Sequence, residues 1–295
     1  MSSTSTTAAD APHDAGTGHG DDHAHDVTLA HHFESHEQQF DAGKLGIWVF
    51  LVTEILFFSG LFCAYAIWRG LHPEVFIYSH HYLDTFWGAV NTVVLLVSSL
   101  TAAWAVRSAQ LGDQKNLVRN LLLTIVCAFG FLGIKTIEYS AKVHHGTLPG
   151  EHFKPHPSAM VLVEDGEYIG VAGDLARKEL GLVDPEMPAG LTEEQELALV
   201  EARAHAIELY SAKLVEQADP VPPSVPTFFS IYFFMTGLHG VHVVAGIIAM
   251  FWLLKRAKRG DFTPKYFGAV DYTALYWHLV DLIWIYLFPL LYLIS

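Results

Sequence analysis

Five apolar runs decide what this chain is able to fold into: Leu45–Trp68, Thr85–Val106, Asn120–Tyr139, Thr227–Leu254 and Tyr272–Ser295. Each has roughly 20 residues or more, and a helix rising about 1.5 Å per residue needs that length to cross roughly 30 Å of hydrocarbon. In lipid the backbone satisfies its own hydrogen bonds only as a helix or a closed barrel, and unbroken runs of this length read as helices. The expected fold is all-α, a polytopic membrane protein with a bundle of five transmembrane helices and a small polar insertion on the outer face. The third run is the weakest, because Lys135 and Glu138 stand near its end. Three residues apart, they share a helix face and can pair, and a lysine stem lets its ammonium reach toward the interface.

Charge is segregated from this apolar body. The chain has 295 residues and a net charge of −14, yet only 16% of its residues are charged. Residues 1–43 hold 8 acids and no Lys or Arg, and residues 141–226 hold 15 acids against 6 bases. The rest is slightly basic. The organisation that follows is a polar His/Asp-rich tail over 1–43, helices one to three over 44–145, an outer insertion over 146–226, and helices four and five over 227–295. The tail holds seven of the 18 histidines by residue 36, and its residues 1–32 lack hydrophobic periodicity and read as disordered. Its His19, His23, His25, His31 and His32 invite opportunistic rather than dedicated metal binding. It has neither the basic start nor the apolar core of a signal peptide.

Nine bases gather at one set of run ends: Lys44, Arg107, Lys115, Arg119, Lys255, Arg256, Lys258, Arg259 and Lys265. The positive-inside rule places that side, with the N-terminus, in the cytoplasm and the C-terminus outside. Trp48, Trp68, Tyr82, Trp87 and Trp104 stand near run ends, as in an interfacial aromatic belt. No Lys/Arg stripe is large enough to track nucleic-acid phosphates. Cys63 and Cys127 lie apart within apolar runs and read as small buried hydrophobes. In the insertion, Val161–Glu164 and Glu167–Val171 flank Asp165-Gly166 as a hairpin does. Leu191–Leu214 reads as an amphipathic helix with Leu197, Val200, Ala204, Ile207 and Leu214 on one face, opened by a Thr192/Gln195 capping box.

Ionisable groups inside a span are costly, so each requires a reason. Glu54 is the deepest, about 14 Å in from Leu45, among Leu51, Ile55, Phe57 and Phe58. It needs a proton, a partner on another helix, or access to water or a lipid headgroup. Helix four carries His239 and His242, three residues apart, within Thr236-Gly237-Leu238-His239-Gly240-Val241-His242. Helix five carries His278 and Asp281 at the same spacing. A metal between these four is one reading, and interhelical hydrogen bonds and headgroup contacts are the preferred one on spacing alone. Glu138, beside Lys135, reads as structural. No Walker loop, Rossmann fingerprint, haem-attachment motif or nucleophile elbow occurs, and too few histidines lie within spans to hold a membrane redox centre.

Several patches in order resemble one family. The run Leu45-Gly46-Ile47-Trp48 through Phe50 and Thr53-Glu54 to Phe57-Phe58, the pair Glu138-Tyr139, the segment from Tyr232-Phe233 to His239-Gly240-x-His242, and Tyr276-Trp277-His278-x-x-Asp281 are similar to subunit III of the haem–copper cytochrome c oxidases. The resemblance covers about Phe33–Gly150 and Thr227–Ser295. It implies a non-catalytic subunit, without cofactors of its own, in a proton-pumping oxygen reductase of a bacterial inner membrane. Haem and copper would belong to partner subunits I and II, and a small subunit IV and a larger respiratory supercomplex are further partners of that setting. It also implies bound phospholipid and support for proton uptake and stability of the catalytic subunit. Phe50 and Glu54 fall in its lipid-binding region, and His242 and Arg256 match its headgroup contacts.

Two departures stand out. The longer family members carry two further helices before the one with the glutamate, whereas a polar tail precedes it here. The acidic insertion is also foreign to the mitochondrial pattern; a solvated or subunit-docking surface is the preferred reading, over one that attracts a basic electron carrier. A quinol oxidase is the near alternative to a cytochrome c oxidase, and a stand-alone ion transporter the remote one.

Overall fold

The computed structural model of the chain describes Ala30 and residues 33–149, 152–164, 167–183, 188 and 191–294. Most of the His-rich tail and the Asp165-Gly166 turn therefore lie outside the described residues. Five helices are long and apolar enough to cross a membrane: α1 (His36–Leu71), α3 (Thr85–Gln110), α4 (Gln114–His144), α7 (Val225–Arg259) and α8 (Gly268–Tyr292). Each contains one of the five apolar runs, apart from the final residues of the last, and most overrun it, because polar first and last turns carry a helix beyond the hydrocarbon. In α4 this overrun brings Lys142 into the helix.

The ends are set by local chemistry. Ser35 caps α1 by accepting from the Gln38 amide, Asp84 caps α3 through the Phe86 and Trp87 amides, and Asp113 caps α4 through the Asn116 amide, each satisfying donors that the first turn leaves free. That Asn116 amide bond holds the exposed Asp113 carboxyl below its ordinary range. Gly260, at φ +81°, ends α7 in the left-handed conformation that only glycine adopts freely.

α8 is the centre of the bundle and α1 its rim: 50% of the most apolar window of α8 is buried, against 11% in α1. The buried side chains of α1, Leu51, Phe58 and Tyr65, recur every seventh residue, giving one narrow seam toward the other helices. α3 and α8 run antiparallel, with hydroxyl rungs between them. Trp277 Nε1 donates to Ser98 Oγ at 2.8 Å, Trp284 Nε1 to Thr92 Oγ1 at 3.1 Å, and Thr85 Oγ1 to the Tyr292 carbonyl at 3.2 Å. Thr101 and Thr124 join α3 to α4 at 2.8 Å. Such polar rungs hold helices together where lipid removes the hydrophobic drive.

Gly246 of α7 makes room for α8, since a Cβ there would meet the Trp277 ring at 2.6 Å. That ring is fully buried and tethered to Ser98, so it cannot retreat. Gly246→Ala is expected to cost about 1–3 kcal/mol by overpacking, read as a thermal midpoint several degrees lower in the purified protein; an unchanged midpoint would show that the interface yields.

The insertion sits at the end where α1, α4 and α8 finish and α3 and α7 begin. The expected hairpin is present as β1 (Val161–Glu164) and β2 (Glu167–Val171), antiparallel with an irregularity at Leu162/Val163. It is tied down by Tyr78 of the short helix α2 (Pro73–Ser79), whose hydroxyl donates to the Val161 carbonyl at 2.9 Å, and by Tyr82, whose oxygen accepts from the Val161 amide at 3.0 Å. Tyr82 is thus a tether rather than a free interfacial aromatic, while Trp48, Trp87 and Trp104 keep about half their surface exposed.

A short helix α5 (Ala172–Glu179) precedes α6 (Glu193–Gln217). The capping box forms as expected, with the Gln195 amide N–H to Thr192 Oγ1 at 3.3 Å and the Thr192 amide N–H to Gln195 Oε1 at 3.0 Å. The inward face differs from the expected one. It runs through Ala206, Ile207, Tyr210, Ser211 and Leu214, whereas Leu197 and Val200 are exposed at 61% and 52%. The cause is reach: only the second half of α6 has chain beneath it.

Candidate functional site

The deepest carboxylate of the sequence finds a partner on another helix. Glu54 of α1 lies with Oε2 2.9 Å from Nε2 of His242 on α7. The other ring nitrogen, Nδ1, contacts the Leu238 carbonyl at 2.9 Å. A carbonyl only accepts, so Nδ1 carries a proton. The Nε2–Oε2 contact then holds one further proton, either on the carboxyl or on the imidazole. In both arrangements the pair is net neutral, which is what makes it tolerable within a membrane.

Aromatic rings frame the pair. Phe58 stands edge-on to His242 at 5.1 Å, Phe50 tilts against Tyr276 at 6.0 Å, and the Tyr276 hydroxyl donates to the His242 carbonyl at 3.0 Å. Phe50 stays 42% exposed, so this face opens outward from the bundle. Fourteen residues further along α7, roughly 21 Å by helical rise, is Arg256. Its Nε donates to Asp261 Oδ2 at 3.1 Å, and its guanidinium lies over Trp252 and Phe262, each at 5.0 Å. It borders a cleft of about 540 Å3, shared with Phe40, Lys265 and Tyr272, between the start of α1 and the α7–α8 turn.

His239, His242, His278 and Asp281 do not converge. His242 turns to α1. His239, fully buried, is held by the rings of Phe131 at 5.5 Å and Trp284 at 5.4 Å. His278 Nδ1 meets Ser99 Oγ at 2.6 Å. The His239 ring has no hydrogen-bond partner within the described residues, the Asp281 carboxyl is near Ser99 on α3, and no three His, Cys, Asp or Glu among the described residues are grouped to hold a metal.

A second polar centre joins three helices near the insertion. Lys135 Nζ and Glu138 Oε2 are 2.8 Å apart, as their spacing predicts. Glu138 Oε1 accepts from the hydroxyls of Tyr232 on α7 at 2.7 Å and Tyr292 on α8 at 2.6 Å, and Lys142 Nζ lies 3.6 Å from it. Lys135 also donates to both tyrosines, at 3.2 and 2.9 Å. The sequence reading missed Lys142, whose i+4 spacing from Glu138 was a usable sign, and Tyr292, for which helical spacing offers none.

An all-helical bundle crossing the membrane five times, tied together by polar contacts between helices, is an integral multi-pass membrane protein. Comparison with known proteins assigns it further: the family profile for cytochrome c oxidase subunit III matches residues 22–145 and 203–295, and the chain belongs to that family. The internal unmatched stretch, 146–202, ends within α6. A cytochrome c oxidase subunit 3 from Corynebacterium diphtheriae is 26% identical over 254 residues, covering 85% of this chain and 88% of the relative. A probable cytochrome c oxidase subunit 3 from Mycobacterium leprae is 25% identical over 251 residues, 85% of this chain and 87% of the relative. A quinol oxidase subunit 3 from Bacillus spizizenii is 23% identical over 267 residues, 88% of this chain and 92% of the relative.

Proposed function

We propose that the chain is the non-catalytic core subunit III of a proton-pumping aerobic terminal oxidase, reducing oxygen to water in a bacterial inner membrane with its N-terminus in the cytoplasm. Family membership supports the setting, and the Glu54–His242 pair carries the role. It is a one-proton, net-neutral contact between the rim helix and the bundle, beside exposed Phe50, and it suits a site where phospholipid packs and a proton is held near the catalytic subunit. Haem and copper reside in subunits I and II. This chain's own histidines do not fit a redox centre, since His242 has both ring nitrogens engaged, His278 is bound to Ser99 and His239 is walled in by rings. A small subunit IV and a supercomplex are further partners. Purification in mild detergent, with subunit identification and a reduced-minus-oxidised haem spectrum, tests the proposal; isolation of the chain without haem-bearing partners would refute it.

Phospholipid occupies the cleft beside Arg256. The guanidinium is already aimed by Asp261 and the rings beneath it, and Nη1 makes no hydrogen bond within the described residues, so it is free for a phosphate. Arg256→Ala is expected to weaken retention of one anionic lipid about tenfold, the scale of a lost charge-assisted hydrogen bond. Native mass spectrometry reads it, and unchanged lipid content would sink it.

The electron donor separates two versions of this reading. The quinol oxidase subunit 3 of Bacillus spizizenii matches over nearly its full length, so a quinol donor is the second version. A dicopper-bearing subunit II in the purified complex selects cytochrome c.

A further inference from the structure

At the opposite end of the bundle, a cleft of about 290 Å3 runs along α4 from Ile134 to His145, against the start of α3. Its length is roughly 16 Å by helical rise, and its character changes along the way. The deeper wall is apolar, with Ile134, Ile137 and Trp87. Ile137 is 69% exposed and Trp87 46%, so the cleft opens sideways, toward lipid. The end nearer the insertion is polar, with Asp84, Glu138, Lys142 and His145.

The two charges at that end are each incompletely used. Lys142 is buried at 6% exposure. Its three-proton ammonium donates to the Tyr82 carbonyl at a long 3.3 Å, approaches Glu138 Oε1 at 3.6 Å and lies 5.2 Å from the centroid of the Tyr232 ring, so its one hydrogen bond to oxygen leaves donor capacity toward the cleft. Asp84 spends Oδ1 on the Phe86 and Trp87 amides, at 2.9 and 3.3 Å, and Oδ2 has no hydrogen bond among the described residues. Asp84 is near enough to act electrostatically on Lys142, yet no direct ion pair joins them. His145 is held below its ordinary value by burial and by Lys142, so it adds no charge at neutral pH. Lys142 and Asp84 face the cleft with opposite charges, and Glu138 beside them is already neutralised by Lys135 from behind the wall, so the site is balanced.

A balanced site with an unfilled donor and an unfilled acceptor, below which lies an apolar wall open to lipid, fits a zwitterion with a tail. We propose that this cleft binds a phospholipid with a primary-ammonium headgroup, its phosphate accepting from Lys142 Nζ, its ammonium donating to Asp84 Oδ2, and an acyl chain along Ile134 and Ile137. A quaternary ammonium has no N–H to give Asp84 and fits less well. The site occupies the other leaflet from Arg256, so it stands or falls apart from the function proposed above.

The test places a benzophenone amino acid at Ile137 in the full chain, purified with whatever subunits accompany it. The protein is then reconstituted in vesicles of equal parts phosphatidylethanolamine and phosphatidylcholine, and illuminated. Mass spectrometry of the chain is expected to find phosphatidylethanolamine adducts several-fold above phosphatidylcholine. Asp84→Asn, which keeps the capping oxygen, is expected to bring that ratio to one, and Lys142→Met to lower total lipid adducts about tenfold. Equal labelling in the unsubstituted site, a ratio indifferent to Asp84→Asn, adducts to a neighbouring subunit, or none at all would overturn the proposal. Asp84→Asn is a surface change and keeps the test decisive if Lys142→Met fails to fold.

Discussion

Glu138→Gln is expected to lower the thermal midpoint of the purified protein by roughly 10 °C and to cut its yield sharply. The carboxylate accepts from two tyrosines and faces two ammonium groups, all on side chains that the bundle encloses. Removing one member of a buried ion cluster costs about 3–5 kcal/mol, because the charges left behind have no water to return to, and each kcal/mol moves a chain of this size a few degrees. The cost lies in the orphaned ammonium groups rather than in the lost attraction. A triple variant, Lys135→Met with Glu138→Gln and Lys142→Met, is therefore expected to recover most of the loss, a non-additivity that neighbours in one network show. Equal midpoints for wild type and Glu138→Gln would mean the cluster does not hold α4, α7 and α8 together.

Much of this architecture is legible in the sequence because membrane helices are specified locally. A run such as Thr85–Val106 needs no knowledge of its neighbours to become a helix in lipid, and Thr192 announces the start of α6 through its own side chain. Lys135 and Glu138 pair as their spacing says. What escapes is set by packing between distant segments. The partner of Glu54 is 188 residues away, and that of Glu138 on α8 is 154 away; no periodicity connects them. His239 and His242 look equivalent by sequence, yet a rotation of three residues about α7 sends one to the Phe131 and Trp284 rings and the other to α1. The face of α6 misleads for the same reason: apolar spacing states which side is able to be buried, while the short reach of the insertion decides which side is.

Glu54→Ala is expected to act on durability, not on stability or assembly. The Glu54–His242 pair is net neutral, so Glu54→Ala leaves a neutral imidazole behind, not an orphaned charge; the cost is on the scale of one hydrogen bond, about 0.5–1.5 kcal/mol, a midpoint shift of only a few degrees. Haem content, carried by other subunits, should persist; its complete loss from an assembled complex would count against the proposed role. What changes is the proton that the pair holds in common. With Glu54 gone, His242 Nε2 is left without its partner beside exposed Phe50, and the lipid packed on that face loses a fixed edge. We expect several-fold fewer turnovers before inactivation and weaker lipid retention. Glu54→Gln divides the two causes, because the amide keeps a donor for Nε2 and nearly the same shape but cannot exchange a proton. If lipid packing is what the pair supplies, glutamine restores both readouts to near wild type; if proton holding is, lipid stays bound while turnovers still fall. His242→Ala should then add nothing to Glu54→Ala, since either substitution abolishes the same shared proton, and a fully additive double variant would show that the two residues act separately.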